Sequence, residues 1–458
     1  MNKRIGTIIS AVCLLLVFLV TFSSCAVDHA ASVIGAEINS DDELILTYDD
    51  GSEQNLGVVV GKDGADGKDG ADGIDGKDGE DGADGKDGAD GTLTLTGSTG
   101  SSAAASAKGL RSAVSIICNF TATVQQGGWR PGSSGSTTKE YSSAGSGVIY
   151  QMNKSEGDAF IITNYHVVYD ASSNTQNGIS DDISVYLYGS ELEEKAIKAT
   201  YVGGSLYYDI AVLHVDGSEM LKNSDACAVE IADSDKVRVG ENAIAIGNAK
   251  GLGISASVGV VSVDSEYLTM TAADGKTEVS FRVMRVDTAV NSGNSGGGLY
   301  DGTGKLIGIV NAKIVDDGVE NIGYAIPSNV AVSIADNIID YCFGTELERV
   351  QRALLGITVT TTDSKAVYDA ESGYLGIKET VAVYEVSPGS LASDALMAED
   401  VLISATIGGK TVQINRQYHI IDMMLDVRVG DTVELTVLRD GKEKTVSIKI
   451  TEDCLTEY

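Results

Sequence analysis

Basic residues are scarce in this chain: 33 Lys and Arg stand against 66 Asp and Glu in 458 residues, a formal net charge of −33. Such a surface repels phosphate backbones, which argues against nucleic acid as a partner. Cysteine is scarcer still, six in all, and that excludes a small disulfide-dense scaffold. Two of the six, Cys13 and Cys25, lie in the first segment of the chain. The other four, Cys118, Cys227, Cys342 and Cys454, show no CxxC spacing. Neither a metal nor another cofactor is expected, and buried single thiols are preferred over the three complete pairings that four thiols allow. After the first segment no stretch approaches the ~20 apolar residues that span a bilayer. What is present is bulk: 458 residues, 43% hydrophobic, exceed one ordinary core and predict two or three folded units.

Lys3 and Arg4 precede an apolar run from Ile8 to Val20, the pattern of an export signal. The run ends in Phe22, Ser23, Ser24 and Cys25, which resembles the bacterial lipobox, with Phe22 standing where Leu is usual. The resemblance implies that residues 1–24 are a lipoprotein signal peptide and that Cys25 is lipidated. An uncleaved membrane anchor is the alternative; either way the chain is exported and held at the extracytoplasmic face of the membrane. Residues 25–60 read as a tether with a β-hairpin, the apolar runs Leu44–Leu46 and Leu56–Val60 flanking a turn at Asp49, Asp50 and Gly51.

From 61 to 91 glycine occupies every third position, the period that a collagen-like triple helix needs because only glycine fits at its axis. The repeat has no proline and its other positions are strongly acidic, so a hydrated disordered stalk is the competing reading. Fully extended, it reaches on the order of 90 Å. Residues 92–109, rich in Ser, Thr, Ala and Gly, read as a flexible linker.

Over 110–345 short apolar runs alternate with Gly, Asn and Asp turns, among them Phe160–Val168, Ile210–Val215 and Leu306–Ile314. Many short strands predict a mainly β domain of barrel or sandwich type. Helical periodicity enters at Val330, Ala331, Ile334, Ile338 and Ile339, after Pro327 and a cap expected at Ser328.

The chemistry lies in this segment. In GNSGG, Gly293–Gly297, a serine in a tight glycine turn exposes its hydroxyl, and the backbone N–H groups of Gly293 and Ser295 can converge on a developing oxyanion. A glycine-rich hairpin would show the same letters, so the base matters. Of the four histidines, His29 lies beside the anchor and His419 in the terminal domain. His166 ends the apolar run FIITNYHVV before a polar loop, which suits a base at a cleft edge, whereas His214 sits inside the strand IAVLHV. Asp209 in YYDIAVL precedes a strongly apolar strand, where burial would let it orient His166.

SGVIY with ITNYHVV, YYDIAVL, VDTAVNSGNSGGGLY, and KLIGIVNAKI with IGYAIPS together resemble the HtrA/DegP family of trypsin-fold serine proteases. The resemblance implies two six-stranded β-barrels with the site between them, His166 as general base, Asp209 orienting it and Ser295 as nucleophile. Ser292 and Gly298 stand where the family often has proline. Asn294 cannot form the ion pair that digestive relatives build after zymogen cleavage, so activation by clipping is not expected. Ala289, six residues before Ser295, stands where trypsin-like enzymes use Asp, and with Val290 it predicts a small apolar specificity pocket.

Over 350–454 the pattern becomes alternating strands with two short helices. ALLGITV, VYEVSPGSLAS and VELTVLRDGK resemble a PDZ domain of the HtrA type. The resemblance implies that the N–H groups of Leu355, Gly356 and Ile357 bind a peptide carboxylate while the ligand extends the adjoining strand edge. The expected activity is endopeptidase action on unfolded or damaged exported proteins, with a non-catalytic chaperone or adhesive scaffold as the alternative. A homotrimer is expected, because the period-three repeat needs three chains and the family resemblance implies trimeric protease domains.

Overall fold

The computed structural model describes residues 33–39, 43–48, 51–58, 102–126, 135–190, 193–312, 322–370 and 373–458. The expectations for the signal at 1–24, for Cys25 and for the repeat at 61–91 lie outside them. The chain forms two compact units, 1–90 and 91–458. In the first, β1 (Val33–Ile38), β2 (Glu43–Tyr48) and β3 (Glu53–Val58) form an antiparallel sheet in that order. The expected two-stranded hairpin is therefore a three-stranded sheet. Leu46 on its central strand is buried, which a lone hairpin would not achieve.

The second unit opens with a correction. Ser102–Leu110, read as flexible, is helix α1. Its small residues allow close docking: Ala105 and Gly109 are buried, and the Gly109 carbonyl accepts from the hydroxyls of Ser112 (3.0 Å) and Tyr300 (3.3 Å). Strands β4 (Ala113–Gln126), β5 (Gly135–Asn153) and β6 (Asp158–Thr163) follow, then the single turn α2 (Tyr165–Val168), β7 (Asp182–Leu187), β8 (Ile197–Ser205) and β9 (Ile210–Val215). They close a barrel in the order β4-β5-β6-β9-β8-β7. Val114, Ile116, Ile149, Ile161 and Leu213, at most 1% exposed, alternate inward along their strands as a closed sheet requires. After the short helix α3 (Glu219–Lys222), a second barrel closes as β10-β11-β12-β15-β14-β13. Its strands are β10 (Asn242–Gly247), β11 (Ser255–Thr271), β12 (Glu278–Val286), β13 (Gly298–Tyr300), β14 (Leu306–Val310) and β15 (Gly323–Pro327).

Helix α4 (Ser328–Cys342) buries Val330, Ala331, Ile334, Ala335, Ile338 and Cys342 on one stripe. Pro327, not Ser328, occupies its N-cap; the Ser328 hydroxyl instead donates to the Ala232 carbonyl at 2.8 Å. Asn337 on this helix exchanges hydrogen bonds with the Gln351 backbone at 2.8 and 2.9 Å, fastening the chain that enters the last domain.

That domain begins with β16 (Gln351–Ala353) and builds a sheet β17-β18-β19-β21-β22 from β17 (Ile357–Asp369), β18 (Tyr374–Val386), β19 (Val401–Ile407), β21 (Thr432–Arg439) and β22 (Lys442–Lys449), with β20 (Lys410–Gln413) on β19. Of the two expected helices, α5 (Gln417–Met423) forms. Residues 387–396 form a series of turns and not a second helix, with Ala392 N–H tied to the Leu355 carbonyl at 3.0 Å. Pro388 and Gly389 open these turns and suit them better than a helix interior. The domain runs past residue 454: β23 (Leu455–Glu457) pairs with β16, and the Tyr458 ring lies 4.3 Å from that of Tyr207. Cys118, Cys227, Cys342 and Cys454 are all unpaired. Among the described residues no helix is long and apolar enough to cross a membrane.

Candidate active site

His166 and Asp209 pair on the first barrel, and the turn of Ser295 from the second barrel bonds to Ser146 of the first. Strand β6 ends at Thr163, and α2 turns His166 outward while Val167 and Val168 anchor it in the first barrel. Asp209 precedes β9 at a backbone φ of +53°, a left-handed conformation that Asp tolerates better than most residues and that costs on the order of 1–3 kcal/mol. The return is geometric. One carboxylate oxygen accepts the His166 backbone N–H at 2.9 Å and the other lies 2.6 Å from His166 Nδ1. Asp209 is 6% exposed, so this pair is shielded from screening. A carboxylate on Nδ1 fixes the tautomer that leaves Nε2 able to accept a proton.

Two amide side chains that the sequence reading did not assign hold the aspartate. Asn311 Nδ2 donates to its Oδ2 at 2.8 Å, and Asn164 Nδ2 donates to its backbone carbonyl at 2.8 Å. Both asparagines are fully buried. A signal existed in the sequence, since Asn311 directly follows the apolar strand Leu306–Val310 and a buried amide must find partners.

Ser295 sits in the turn between β12 and β13 and is 5% exposed. Its hydroxyl accepts the Ala312 N–H at 3.3 Å, and its carbonyl accepts the Ser146 N–H at 2.8 Å. Gly293 and Gly296 have φ of +95° and +81°; a side chain would overlap the Asn248 carbonyl at the first and the Ser146 carbonyl at the second. Among the described residues, the N–H groups of Gly293 and Ser295 donate to no protein acceptor. The carbonyl of Ser292 is tied to Lys250 N–H at 2.7 Å, and because a trans peptide points its N–H opposite its C=O, the Gly293 N–H is turned away from Lys250. Unpaired donors of this kind are what a developing anion requires.

Ala289 and Val290 follow β12. The Ala289 carbonyl accepts from Ser257 Oγ at 3.1 Å and Asn294 Nδ2 at 3.4 Å, while Val290 packs against the second-barrel core. His214 is turned elsewhere: its Nε2 lies 2.8 Å from Asp158 Oδ2, and its ring packs with those of Phe160 and Phe343. In the last domain Leu355, Gly356 and Ile357 line a groove of about 190 Å³ with Arg352, Ile420 and Met424. Among the described residues β17 has one open edge beside it.

Comparison with known proteins agrees with both halves of this architecture. Residues 145–309 match the trypsin-like peptidase domain, and residues 353–450 match the PDZ domain. The chain is 34% identical over 350 residues to the serine protease Do-like HtrA of Bacillus subtilis, covering 74% of this chain and 71% of that protein. It is 35% identical over 336 residues to the serine protease Do-like HtrA of Lactococcus lactis subsp. cremoris, covering 70% and 75%. The periplasmic serine endoprotease DegP of Escherichia coli is 30% identical over 328 residues, covering 71% and 60%. A trypsin-like barrel pair followed by a PDZ domain, with relatives of this identity and coverage, places the chain in the HtrA family of serine endopeptidases.

Proposed function

We propose that this endopeptidase cuts unfolded or damaged exported proteins from a lipid tether, with Ser295 as nucleophile, His166 as base and Asp209 as its orienting carboxylate. The observation that carries the assignment is the two-point hold of Asp209 on the His166 backbone N–H and Nδ1. Ser295 Oγ bonds to the scissile carbonyl carbon as its proton passes to His166 Nε2. The N–H groups of Gly293 and Ser295 receive the oxyanion. Collapse breaks the C–N bond, His166 returns the proton to the leaving amine, and water repeats the sequence on the acyl-enzyme, releasing the new carboxylate and restoring Ser295.

Ala289 and Val290 offer no charge to a basic side chain, so cuts should follow Val, Ala or Ile rather than Lys or Arg. The groove at Leu355–Ile357 receives a peptide C-terminus, with the peptide adding a strand to the open edge of β17. Cys25 bears the lipid that holds the exported chain at the membrane, an extracytoplasmic location consistent with the periplasmic description of the relative DegP, and the repeat at 61–91 holds the protease off the membrane as part of a homotrimer.

Unfolded casein is the test substrate. Wild type should degrade it and Ser295→Ala should not; equal loss in both would end the catalytic reading, and cuts mapped mainly after Lys or Arg would end the pocket assignment. Fatty-acid labelling that persists in Cys25→Ala would move the anchor elsewhere, and a monomer on sedimentation would exclude the trimer.

A further inference from the structure

Ser146 has no role in the scheme above, yet it bonds to the oxyanion turn at two points and to the neighbouring Asn248 at a third. It lies on β5 of the first barrel, fully buried, and reaches across to the second. Its hydroxyl donates to the Gly293 carbonyl at 2.7 Å and accepts the Asn248 N–H at 2.8 Å. Its own N–H donates to the Ser295 carbonyl at 2.8 Å. Thr163 Oγ1 donates to its carbonyl at 2.7 Å, which fixes the strand from which it reaches.

The hydroxyl has a single proton. Because Asn248 N–H occupies an acceptor position on the oxygen, that proton is directed to Gly293 O. Gly293, at φ +95°, is the residue of the turn with most freedom to rotate. Both peptide planes that flank it are tied: Ser292 O by Lys250 N–H, and Gly293 O by Ser146 Oγ. Gly247 makes room for this contact, since a side chain there would come within 2.8 Å of the hydroxyl oxygen.

We infer that Ser146 is a positioning residue for oxyanion stabilisation: its hydroxyl holds the Gly293–Asn294 peptide plane and so, with Lys250 N–H on the preceding plane, stops the rotation at Gly293 that would turn the Gly293 N–H from the developing charge. The inference rests on the assignment of Gly293 and Ser295 proposed above. It concerns the transition state and not substrate binding, and it is separate from the His166–Asp209 pair.

The full chain is assayed on an internally quenched peptide with a Val cleavage site, with active molecules counted by fluorophosphonate labelling. In Ser146→Ala, kcat per labelled site should fall roughly 10- to 100-fold, somewhat less than removal of an oxyanion donor itself, with KM within about threefold. Affinity for a peptidyl boronic acid, whose tetrahedral adduct places an oxygen in the same position, should fall by a similar factor. The pH profile of kcat/KM should keep its acid limb, since His166 is untouched. Wild-type kcat per site together with wild-type boronate affinity would overturn the inference, even if the melting temperature drops. Should the alanine variant not fold, Ser146→Cys keeps nearly the same volume with a much weaker donor and must show the same loss in kcat. Ser295→Ala separates the two claims: if it cleaves like wild type, the catalytic reading itself fails, whereas an inactive Ser295→Ala beside an unimpaired Ser146→Ala removes only the role of Ser146.

Discussion

The seam between the two barrels and the seam between the second barrel and the PDZ domain are both buried, but different chemistry holds them. At the first, one carboxylate is surrounded by N–H donors: Asp209 meets His166 twice and Asn311 once, and the neutral Ser146 bridges to the serine turn. At the second, arginines do the joining, and one of them, Arg352, reaches on to the first barrel. Arg282, 2% exposed, lies 2.8 Å from Asp235 and 2.6 Å from Asp422, with the Tyr418 ring 3.5 Å from its guanidinium. Arg416 reaches Asp264 at 3.2 Å and Glu379 at 3.6 Å. Arg352 donates to Tyr208 OH at 2.8 Å, one residue from Asp209. Several directional hydrogen bonds converging on one carboxylate fix its orientation, which suits a site that must be the same in every turnover. Buried ion pairs lose much of their Coulomb gain to desolvation and respond to protons and to the loss of one partner. The seam that holds the proposed catalytic residues is built for geometry and the interdomain seam for sensitivity.

The largest effect that would sharpen this contrast is at Asp209. Asp209→Asn keeps shape but reverses what Nδ1 meets, so His166 should lose the tautomer it needs. We expect kcat/KM to fall by about 10³–10⁴ with little change in melting temperature. A loss under tenfold would mean that the carboxylate does not orient the base.

Next in size is Arg282→Met, which leaves Asp235 and Asp422 facing each other without a cation. Breaking a buried pair from one side costs about 3–5 kcal/mol, to be read from urea unfolding. The double variant Arg282→Met with Asp422→Leu should recover a large part of that loss. If the single variant is as stable as wild type, the arginine does not hold the seam.

The contrast also explains what could be read in advance. His166, Asp209 and Ser295 stood out because catalytic chemistry restricts residue type, and the barrels stood out because alternation has a fixed period. Ser146 did not, since a buried serine in a strand looks like any other until the neighbour across the barrels is known, and Asn311 showed only as an amide next to an apolar strand whose partner was out of view. Helix α1 was read as flexible because Ala, Ser and Gly give a weak hydrophobic pattern, yet those small side chains let it lie close to Tyr300. The first strand, Val33–Ile38, escaped because only pairing with β2 defines it. The arginine seam was invisible for the same reason: Arg282 and Asp422 lie 140 residues apart.

The smallest effect is set by pH at Asp422. Burial raises its carboxyl to about 6, and Arg282, which opposes the shift, only partly offsets it. The groups packed around it are Arg282, Asp235, Arg352 and the Tyr418 ring. A carboxyl whose folded value lies above its unfolded value near 4 binds its proton more tightly in the folded state, so its contribution to stability is complete below pH 4 and is lost as pH rises to 6. Over that window the loss amounts to at most about 3 kcal/mol. Asp422→Asn cannot titrate and should lack this slope, so the stability of wild type relative to the variant should decline between pH 4 and pH 6 and level off above it. Parallel curves across that window would show that the Asp422 carboxyl titrates in the folded state as it does unfolded, and the seam would then not respond to protons there.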